Sequence, residues 1–98
     1  MIVSSTDSKL AKQASDAKEA QKQLGRDLAK GLHNRVKQIE AAESIADLLI
    51  GLGKWEGLVG DRKGTYSCRL TANWRLIVEF SEDEKEADLI EIEDYHKK

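Results

Sequence analysis

The chain contains few of the residues that cross-link a small protein, rigidify its backbone or fill its core. Its 98 residues include one cysteine, Cys68, no proline, and only two tryptophans, two tyrosines and one phenylalanine. A single cysteine excludes an internal disulfide and fits a reducing compartment. No apolar run approaches the roughly 20 residues of a membrane span, and no basic leader precedes an apolar stretch. We therefore expect a cytoplasmic protein of one domain, residues 1–98, with no membrane contact.

Charge is distributed unevenly along the chain, although the net charge is only −2. Residues 1–40 carry eight lysines and arginines against five acidic residues, whereas residues 79–98 carry three against nine. The overall acidity argues against a protein that binds nucleic acid through bulk charge alone. It does not exclude a local basic site.

The first half of the chain predicts two amphipathic helices. Apolar residues recur at helical spacing over residues 8–24 and again over 26–42, and Gly25 separates the two segments. The segment Ser-Ile-Ala-Asp at 44–47 resembles a capping box for one or two further turns that end near Ile50. A short opening strand and a glycine-marked loop are predicted at residues 2–3 and 51–57.

The second half predicts a small sheet. Apolar and polar residues alternate over 66–71 and 74–80, and a third strand is predicted at 87–93, after a polar, acidic turn. The apolar stripes of the helices need a surface to pack on, and this sheet provides one. The sequence therefore predicts an α+β fold, with two N-terminal helices on a small, twisted, mostly antiparallel sheet.

The predicted register of the first two strands of this sheet places two arginines against each other. If residues 71–73 form the connecting loop, Arg69 lies directly opposite Arg75, and like charges at opposed positions destabilise a sheet. The functional interpretation is a guanidinium clamp for a phosphate. The alternative is neutralisation by a carboxylate on a neighbouring strand, with three candidates: Glu79, Glu91 and Glu93. The same register predicts three apolar pairs, Leu70 with Trp74, Cys68 with Leu76, and Tyr66 with Val78.

A basic turn flanked by glycines precedes these strands. Arg62 and Lys63 lie between Gly60 and Gly64, and such a turn can offer backbone N–H groups and positive charge to an anion. A solvated turn is the commoner use of these residues. The spacing of a P-loop is absent.

The C-terminal end supplies a further candidate pair. Tyr95 can stack on a base. His96 can act as an acid or a base, since a histidine ordinarily titrates near neutral pH. An exposed terminal side chain is the alternative for His96. Cys68, His33 and His96 lack the spacing of metal ligands, so we predict no metal and no cofactor.

Taken in order, these segments resemble a known family. Gly-Asp-Arg-Lys-Gly-Thr-Tyr-Ser at 60–67, Trp-Arg-Leu-Ile at 74–77 and Glu-Asp-Tyr-His at 93–96 are similar to the HigB-type killer toxins of plasmid-maintenance toxin–antitoxin systems, within the RelE/ParE superfamily. The likeness runs nearly end to end and includes the connection at 41–48. It implies two N-terminal helices against a twisted, mostly antiparallel sheet.

The resemblance also implies an activity and partners. Such toxins cleave mRNA in the ribosomal A site without a metal: the 2′-OH attacks the adjacent phosphate and leaves a cyclic phosphate and a free 5′-OH. The expected partners are mRNA, rRNA and a helix-turn-helix antitoxin. The positions that match the family's site are Arg62 and Lys63 in the turn, Arg75 for phosphate charge, Asp94 and Tyr95 as orienting or stacking groups, and His96 as acid or base. Arg69 is added by the strand-pairing argument alone.

Two departures from the family pattern affect the expectation of catalytic activity. Many relatives read His-x-Leu-Lys-Gly-Asp before the turn, whereas here Glu56 replaces the histidine and Val59 the lysine. Glu56 can still act as a base. Two other functions therefore stay open: a toxin that binds a protein target, as gyrase-poisoning relatives do, or a degenerate member that only binds an antitoxin.

Overall fold

The computed structural model describes residues 1–59 and 64–95, and in them helices lie on one face of a mixed sheet. The helices are α1 (Ser8–Ser15), α2 (Ala17–Leu24), α3 (Arg26–Ala41) and α4 (Ile45–Leu49). The strands are β1 (Ile2–Ser4), β2 (Glu56–Gly57), β3 (Thr65–Arg69), β4 (Trp74–Phe80) and β5 (Glu86–Asp94). Their order across the sheet is β1-β5-β4-β3-β2, with β1 parallel to β5 and every other pair antiparallel. None of the described helices is long and apolar enough to cross a bilayer.

The first predicted helix is divided in two at Asp16. Its backbone is extended there, and its carboxylate accepts hydrogen bonds from the backbone N–H groups of Lys18 and Glu19 at 3.1 and 3.2 Å. Asp16 therefore ends α1 and caps the N-terminus of α2. The prediction of one helix over 8–24 was wrong at this point, because apolar periodicity does not register a side chain that competes for backbone donors.

The core lies between α3 and the sheet. α3 buries one stripe of side chains at helical spacing against strand residues that share one face of the sheet. Gly31 lets the helix backbone come close, since a Cβ there would lie 2.2 Å from the carbonyl oxygen of Leu70. The stripe and its sheet partners are Leu28, Leu32, Val36 and Ile39, with Cys68, Leu70, Leu76, Val78 and Leu89.

The predicted register of β3 and β4 is confirmed. Arg69 pairs with Arg75, Cys68 with Leu76, and Tyr66 with Val78, and the N–H of Leu70 donates to the carbonyl of Trp74 at 2.9 Å. The apolar pairs face the helices. The opposite face carries the arginines.

Two features of the sheet were not predicted. A register shift at Ile77 and Val78 pairs them with Glu91 and Leu89, and this bulge turns both Leu89 and Ile92 toward the helices although they are three residues apart. The stretch 51–57, predicted to be a loop, ends in β2, whose Glu56 and Gly57 pair with β3. Two residues are too few for a period-two pattern to reveal.

Truncating the core side of α3 tests this packing. Leu32 is 1% exposed, so we expect Leu32→Ala to lower the free energy of unfolding by about 2–5 kcal/mol through lost burial and the cavity left behind. Urea unfolding followed by circular dichroism measures the change. Ile50→Ala is the matched control, because Ile50 is 88% exposed and should change stability by less than about 0.5 kcal/mol. Equal losses in both variants would contradict the packing described.

Candidate functional site

The candidate site lies on the face of the sheet turned away from the helices. One row across the strands there consists of Arg69, Arg75 and Glu93, paired in that order on β3, β4 and β5. The adjacent row contains Ser67 and Ile77, which are 1% and 0% exposed. The arginines thus border a desolvated patch, where a charge interacts more strongly with a ligand than it does in water.

Arg75 is held in place by an aromatic ring and by the main chain. Its Cζ lies 5.0 Å from the ring centroid of Tyr95, within the range of a cation–π contact. Its Nη1 donates to three main-chain carbonyl oxygens at 3.1–3.3 Å, those of Thr71, Ala72 and Trp74. The N–H of Tyr95 donates to the carbonyl of Asn73 at 2.7 Å, which carries the β4–β5 pairing one residue further. The structure therefore brings together two predicted site residues, Arg75 and Tyr95.

Arg69 leaves a donor unsatisfied. Its Nε is buried and has no hydrogen-bond partner among the described residues. A buried N–H without an acceptor costs about 1–3 kcal/mol, in addition to the repulsion from Arg75 across the strands. An anionic ligand between the two guanidinium groups would relieve both costs.

The register separates Asp94 from the arginines. Asp94 pairs with Trp74, whose side chain packs toward the helices, so its side chain points to that face. Glu93 is the β5 residue opposite Arg75. Of the three carboxylates considered as neutralising partners, only Glu93 occupies a position across from an arginine. Sequence reasoning named Glu93 only as one of three possible neutralising carboxylates and could not single it out, because its register depends on the bulge.

Glu56 lies near the arginines at the edge of the sheet. It is exposed and pairs with Ser67, two residues before Arg69 on the same face of β3. Val59 follows shortly after and is 90% exposed. Three other predicted site residues, Arg62, Lys63 and His96, lie outside the described residues. In the part of the chain that is described, no cluster of histidine, cysteine and carboxylate side chains is suited to a metal ion.

The side chain of Gln38 on α3 forms hydrogen bonds that hold the segment leading into Glu56. The Gln38 Oε1 accepts hydrogen bonds from Arg35 Nη1 at 2.8 Å and from Trp55 Nε1 at 3.2 Å, and Gln38 Nε2 donates to the Leu52 carbonyl at 2.8 Å. The carbonyl of Gly53, within the same segment, accepts from the N–H of Arg69 at 2.7 Å. Gln38 therefore supports both Glu56 and Arg69. No local pattern in the sequence marks it, since its partners Leu52 and Trp55 are 14 and 17 residues away.

Gly53 is required for this arrangement. Its φ is +102°, and a Cβ there would lie 2.4 Å from Arg35 Nη1. The positive φ strains any residue with a Cβ, and the Arg35 guanidinium would have to move to admit one.

Cys68 lies on the helical face of the sheet, away from the candidate site. It is fully buried as a free thiol, and burial raises its pKa to about 12 from an ordinary 9.0. A thiol that keeps its proton is neither a nucleophile nor a metal ligand. The prediction that it is a buried thiol is confirmed.

The architecture is shared with known toxins. A YoeB/ParE toxin from Agrobacterium tumefaciens superimposes with a TM-score of 0.68 and 22% identity, covering 98% of this chain and 100% of that one. The YoeB-YefM complex from Staphylococcus aureus gives a TM-score of 0.65 and 21% identity, with 98% and 97% covered. The chain thus has the fold of RelE/ParE-type toxins, which confirms the predicted α+β class.

The sequence narrows the class to a family. A curated relative, Endoribonuclease HigB of Proteus vulgaris, is 34% identical over 65 residues, which span 66% of this chain and 68% of the relative. The model of the HigB-like family, the RelE-like toxins of HigB type II toxin–antitoxin systems, matches residues 5–96. The chain belongs to this family, as the resemblance predicts.

Removing the hydrogen bonds of the Gln38 side chain should make the segment 52–56 more mobile without unfolding the core. In Gln38→Leu, the Trp55 Nε1–H and the Leu52 carbonyl lose their partner, and each lost hydrogen bond costs about 1 kcal/mol. We expect faster amide hydrogen exchange over 52–56 and at Arg69, and unchanged exchange in β4 and β5. Gln23→Leu is the control, since Gln23 is an exposed glutamine on α2 that bonds only within the helical region. Unchanged exchange in Gln38→Leu would show that Gln38 does not hold the segment 52–56.

The buried thiol predicts a pH dependence of stability. Because the pKa of Cys68 is raised to about 12 in the folded chain, the unfolded chain releases this proton first as the pH rises above 9. Stability is therefore lost with increasing pH between about 9 and 12. Urea unfolding at pH 7 and pH 10.5 should show a larger fall for the wild type than for Cys68→Ala. An equal fall in both proteins would contradict this assignment.

Proposed function

We propose that this chain is a ribosome-dependent, metal-independent endoribonuclease toxin that cuts mRNA in the A site, acts in the cytoplasm as a single domain, and is neutralised by an antitoxin. Membership of the HigB-like family supports the toxin role, and the relative from Proteus vulgaris is itself named an endoribonuclease. The observation that carries the proposal is the opposed pair Arg69 and Arg75, with the ring of Tyr95 against Arg75.

The proposed reaction is an internal transfer at phosphorus. A base removes the proton of the 2′-OH, the 2′-oxygen attacks the adjacent phosphate, and an acid protonates the departing 5′-oxygen. The products are a cyclic phosphate and a free 5′-OH. Negative charge accumulates on the equatorial oxygens of the pentacoordinate phosphate, and preorganised cations stabilise it most strongly in a water-poor site.

The described residues match the electrostatic part of this reaction. Arg75 is anchored through Nη1 and Tyr95, and Arg69 has a buried donor without a partner. The guanidinium groups of two opposed arginines offer several donors in a fixed geometry to a phosphate. Tyr95 can stack on the base next to the cut, where an aromatic face is worth about 1–3 kcal/mol.

Proton transfer needs groups at the rim of the same face. We propose His96 as acid or base. We propose Glu56 as a base, since it lies on the same face of the sheet as Arg69 and Arg75. Arg62 and Lys63 would add phosphate contacts beside Gly64. Asp94 has its side chain on the helical face, so we propose that it orients the C-terminal end rather than the phosphate.

An antitoxin is the expected protein partner. The family is defined by two-component toxin–antitoxin systems, and the Staphylococcus aureus neighbour was solved as a toxin–antitoxin complex. We propose a helix-turn-helix antitoxin encoded beside this gene.

A second function is favoured by one observation. Val59 is 90% exposed close to Glu56, and an exposed apolar side chain suits a protein target better than it suits RNA. A toxin that poisons a protein such as gyrase would arrest growth without cutting mRNA. A catalytically degenerate member that binds only its antitoxin would do neither.

Expression in a bacterial host with primer extension on a translated message tests these functions. We expect growth arrest and cuts within translated codons. Arg75→Ala should lower the rate of cleavage about 10²- to 10³-fold, because a preorganised charge is lost at the transition state. Tyr95→Phe should keep most of the activity, since the ring remains, whereas Tyr95→Ala should lose roughly 5- to 150-fold.

Lys85→Ala is the matched control, because it removes one exposed positive charge from the β4–β5 turn. Cleavage that survives Arg75→Ala in a folded protein would exclude the proposed site. Arrest without cuts would favour the protein-target function, and no arrest at confirmed expression would favour the degenerate member.

A further inference from the structure

Glu93 is a carboxylate in the candidate site that the proposed reaction does not use. It lies on β5 directly opposite Arg75 on β4, on the face of the sheet that carries the arginines, and it is half-buried. Tyr95 follows two residues later, and Cζ of Arg75 lies 5.0 Å from its ring centroid. Positions i and i+2 of an extended chain are on one side, roughly 7 Å apart. A cation, an aromatic ring and a carboxylate are therefore neighbours on this face.

Glu93 does not neutralise the arginine that it faces. The Nη1 of Arg75 donates instead to the main-chain carbonyls of Thr71, Ala72 and Trp74, at the connection between β3 and β4. Within the described part of the chain, the Glu93 side chain forms no hydrogen bond and no ion pair. Its carboxylate oxygens are therefore available to a ligand.

A carboxylate beside a phosphate site needs a ligand that also carries hydrogen-bond donors. An ionised carboxylate accepts hydrogen bonds and cannot donate them, and it repels the phosphate itself. A nucleotide meets both demands, because its phosphate can bind Arg69 and Arg75 while N–H groups of its base reach Glu93. Single-stranded RNA is recognised in this manner, through bases that stack on aromatic rings and form hydrogen bonds at their edges.

The four bases differ in what they offer to two carboxylate oxygens. Guanine has two adjacent donors on its pairing edge, N1–H and the N2 amino group. Adenine and cytosine each have one amino donor beside a ring nitrogen that is an acceptor, and uracil has one N–H between two carbonyl oxygens. Guanine alone can therefore form two parallel hydrogen bonds with a carboxylate without placing an acceptor against it.

We propose that Glu93 determines specificity: its carboxylate accepts hydrogen bonds from N1–H and the N2 amino group of a guanine that stacks on Tyr95, so that the site favours a message with guanine beside the cut. The inference rests on the proposed function and names the base that the same site selects. Arg69 and Arg75 bind the phosphate of every nucleotide alike, and Glu93 adds the selectivity that they lack.

The test is binding of guanosine 3′-phosphate and adenosine 3′-phosphate to the purified chain, measured by NMR titration without ribosomes. The wild type should bind the guanosine nucleotide roughly 5- to 150-fold more tightly, the range that one good bidentate contact to a base provides. Glu93→Gln should reverse this preference, because a glutamine amide offers one acceptor and one donor and so matches adenine. Its binding of the adenosine nucleotide also shows that the variant is folded.

Two further variants serve as controls. Glu86→Gln makes the same change of charge at an exposed residue of β5 that pairs with Ile2 and not with an arginine, so the guanosine preference should remain. Arg75→Ala should weaken the binding of both nucleotides by the same factor, since each carries the same phosphate.

The proposed reaction and this inference can fail separately. A guanosine preference that disappears in Glu93→Gln, in a protein that never cuts mRNA, would remove the reaction and leave the inference standing. Cuts in translated messages by a wild type that binds both nucleotides equally would do the opposite. The inference is also overturned if Glu93→Gln keeps the preference, or if it weakens both nucleotides by the same factor, as a catalytic or purely structural role would.

Discussion

The register of β3 against β4 is the constraint on which both the core and the candidate site depend. The carbonyl of Trp74 accepts from the N–H of Leu70, and the Thr71 hydroxyl accepts from the N–H of Trp74 at 3.3 Å, so the short connection fixes the pairing. A slip of one residue would turn Cys68 and Leu76 outward and the arginines into the core. The burial of the apolar pairs under α3 therefore enforces the opposition of Arg69 and Arg75.

That opposition is expected to cost stability, because like charges at opposed positions repel. The two arginines occupy opposed positions on neighbouring strands, and the buried Nε of Arg69 has no acceptor among the described residues. The adjacent row on the same face includes fully buried Ile77. Arg75 is compensated in part by Tyr95 and by main-chain carbonyls. Local conflict inside a consistent fold is expected where a ligand binds, and we propose that this ligand is a phosphate.

The sequence predicts the hairpin and its arginine pair because a three-residue connection and period-two alternation determine which residues are opposed. It does not predict the bulge at Ile77, and so it cannot place Glu93 rather than Asp94 across from Arg75. The sequence also fails to predict the helix break at Asp16, because a side-chain cap leaves no mark on apolar periodicity. It fails to predict the strand at Glu56, because two residues are too few to show an alternating pattern. Gln38 joins segments that are distant along the chain, and only the folded structure reveals it.

The central claim is that Arg69 and Arg75 form a phosphate site at a cost to stability, and Arg69→Thr tests it most directly. Threonine suits a strand and removes both the repulsion and the unsatisfied donor. The free energy of unfolding should rise by up to about 1 kcal/mol, while cleavage of mRNA falls at least roughly tenfold. Added inorganic phosphate should stabilise the wild type more than the variant. A variant that is less stable and cuts as fast as the wild type would show that Arg69 is only structural and would contradict the account.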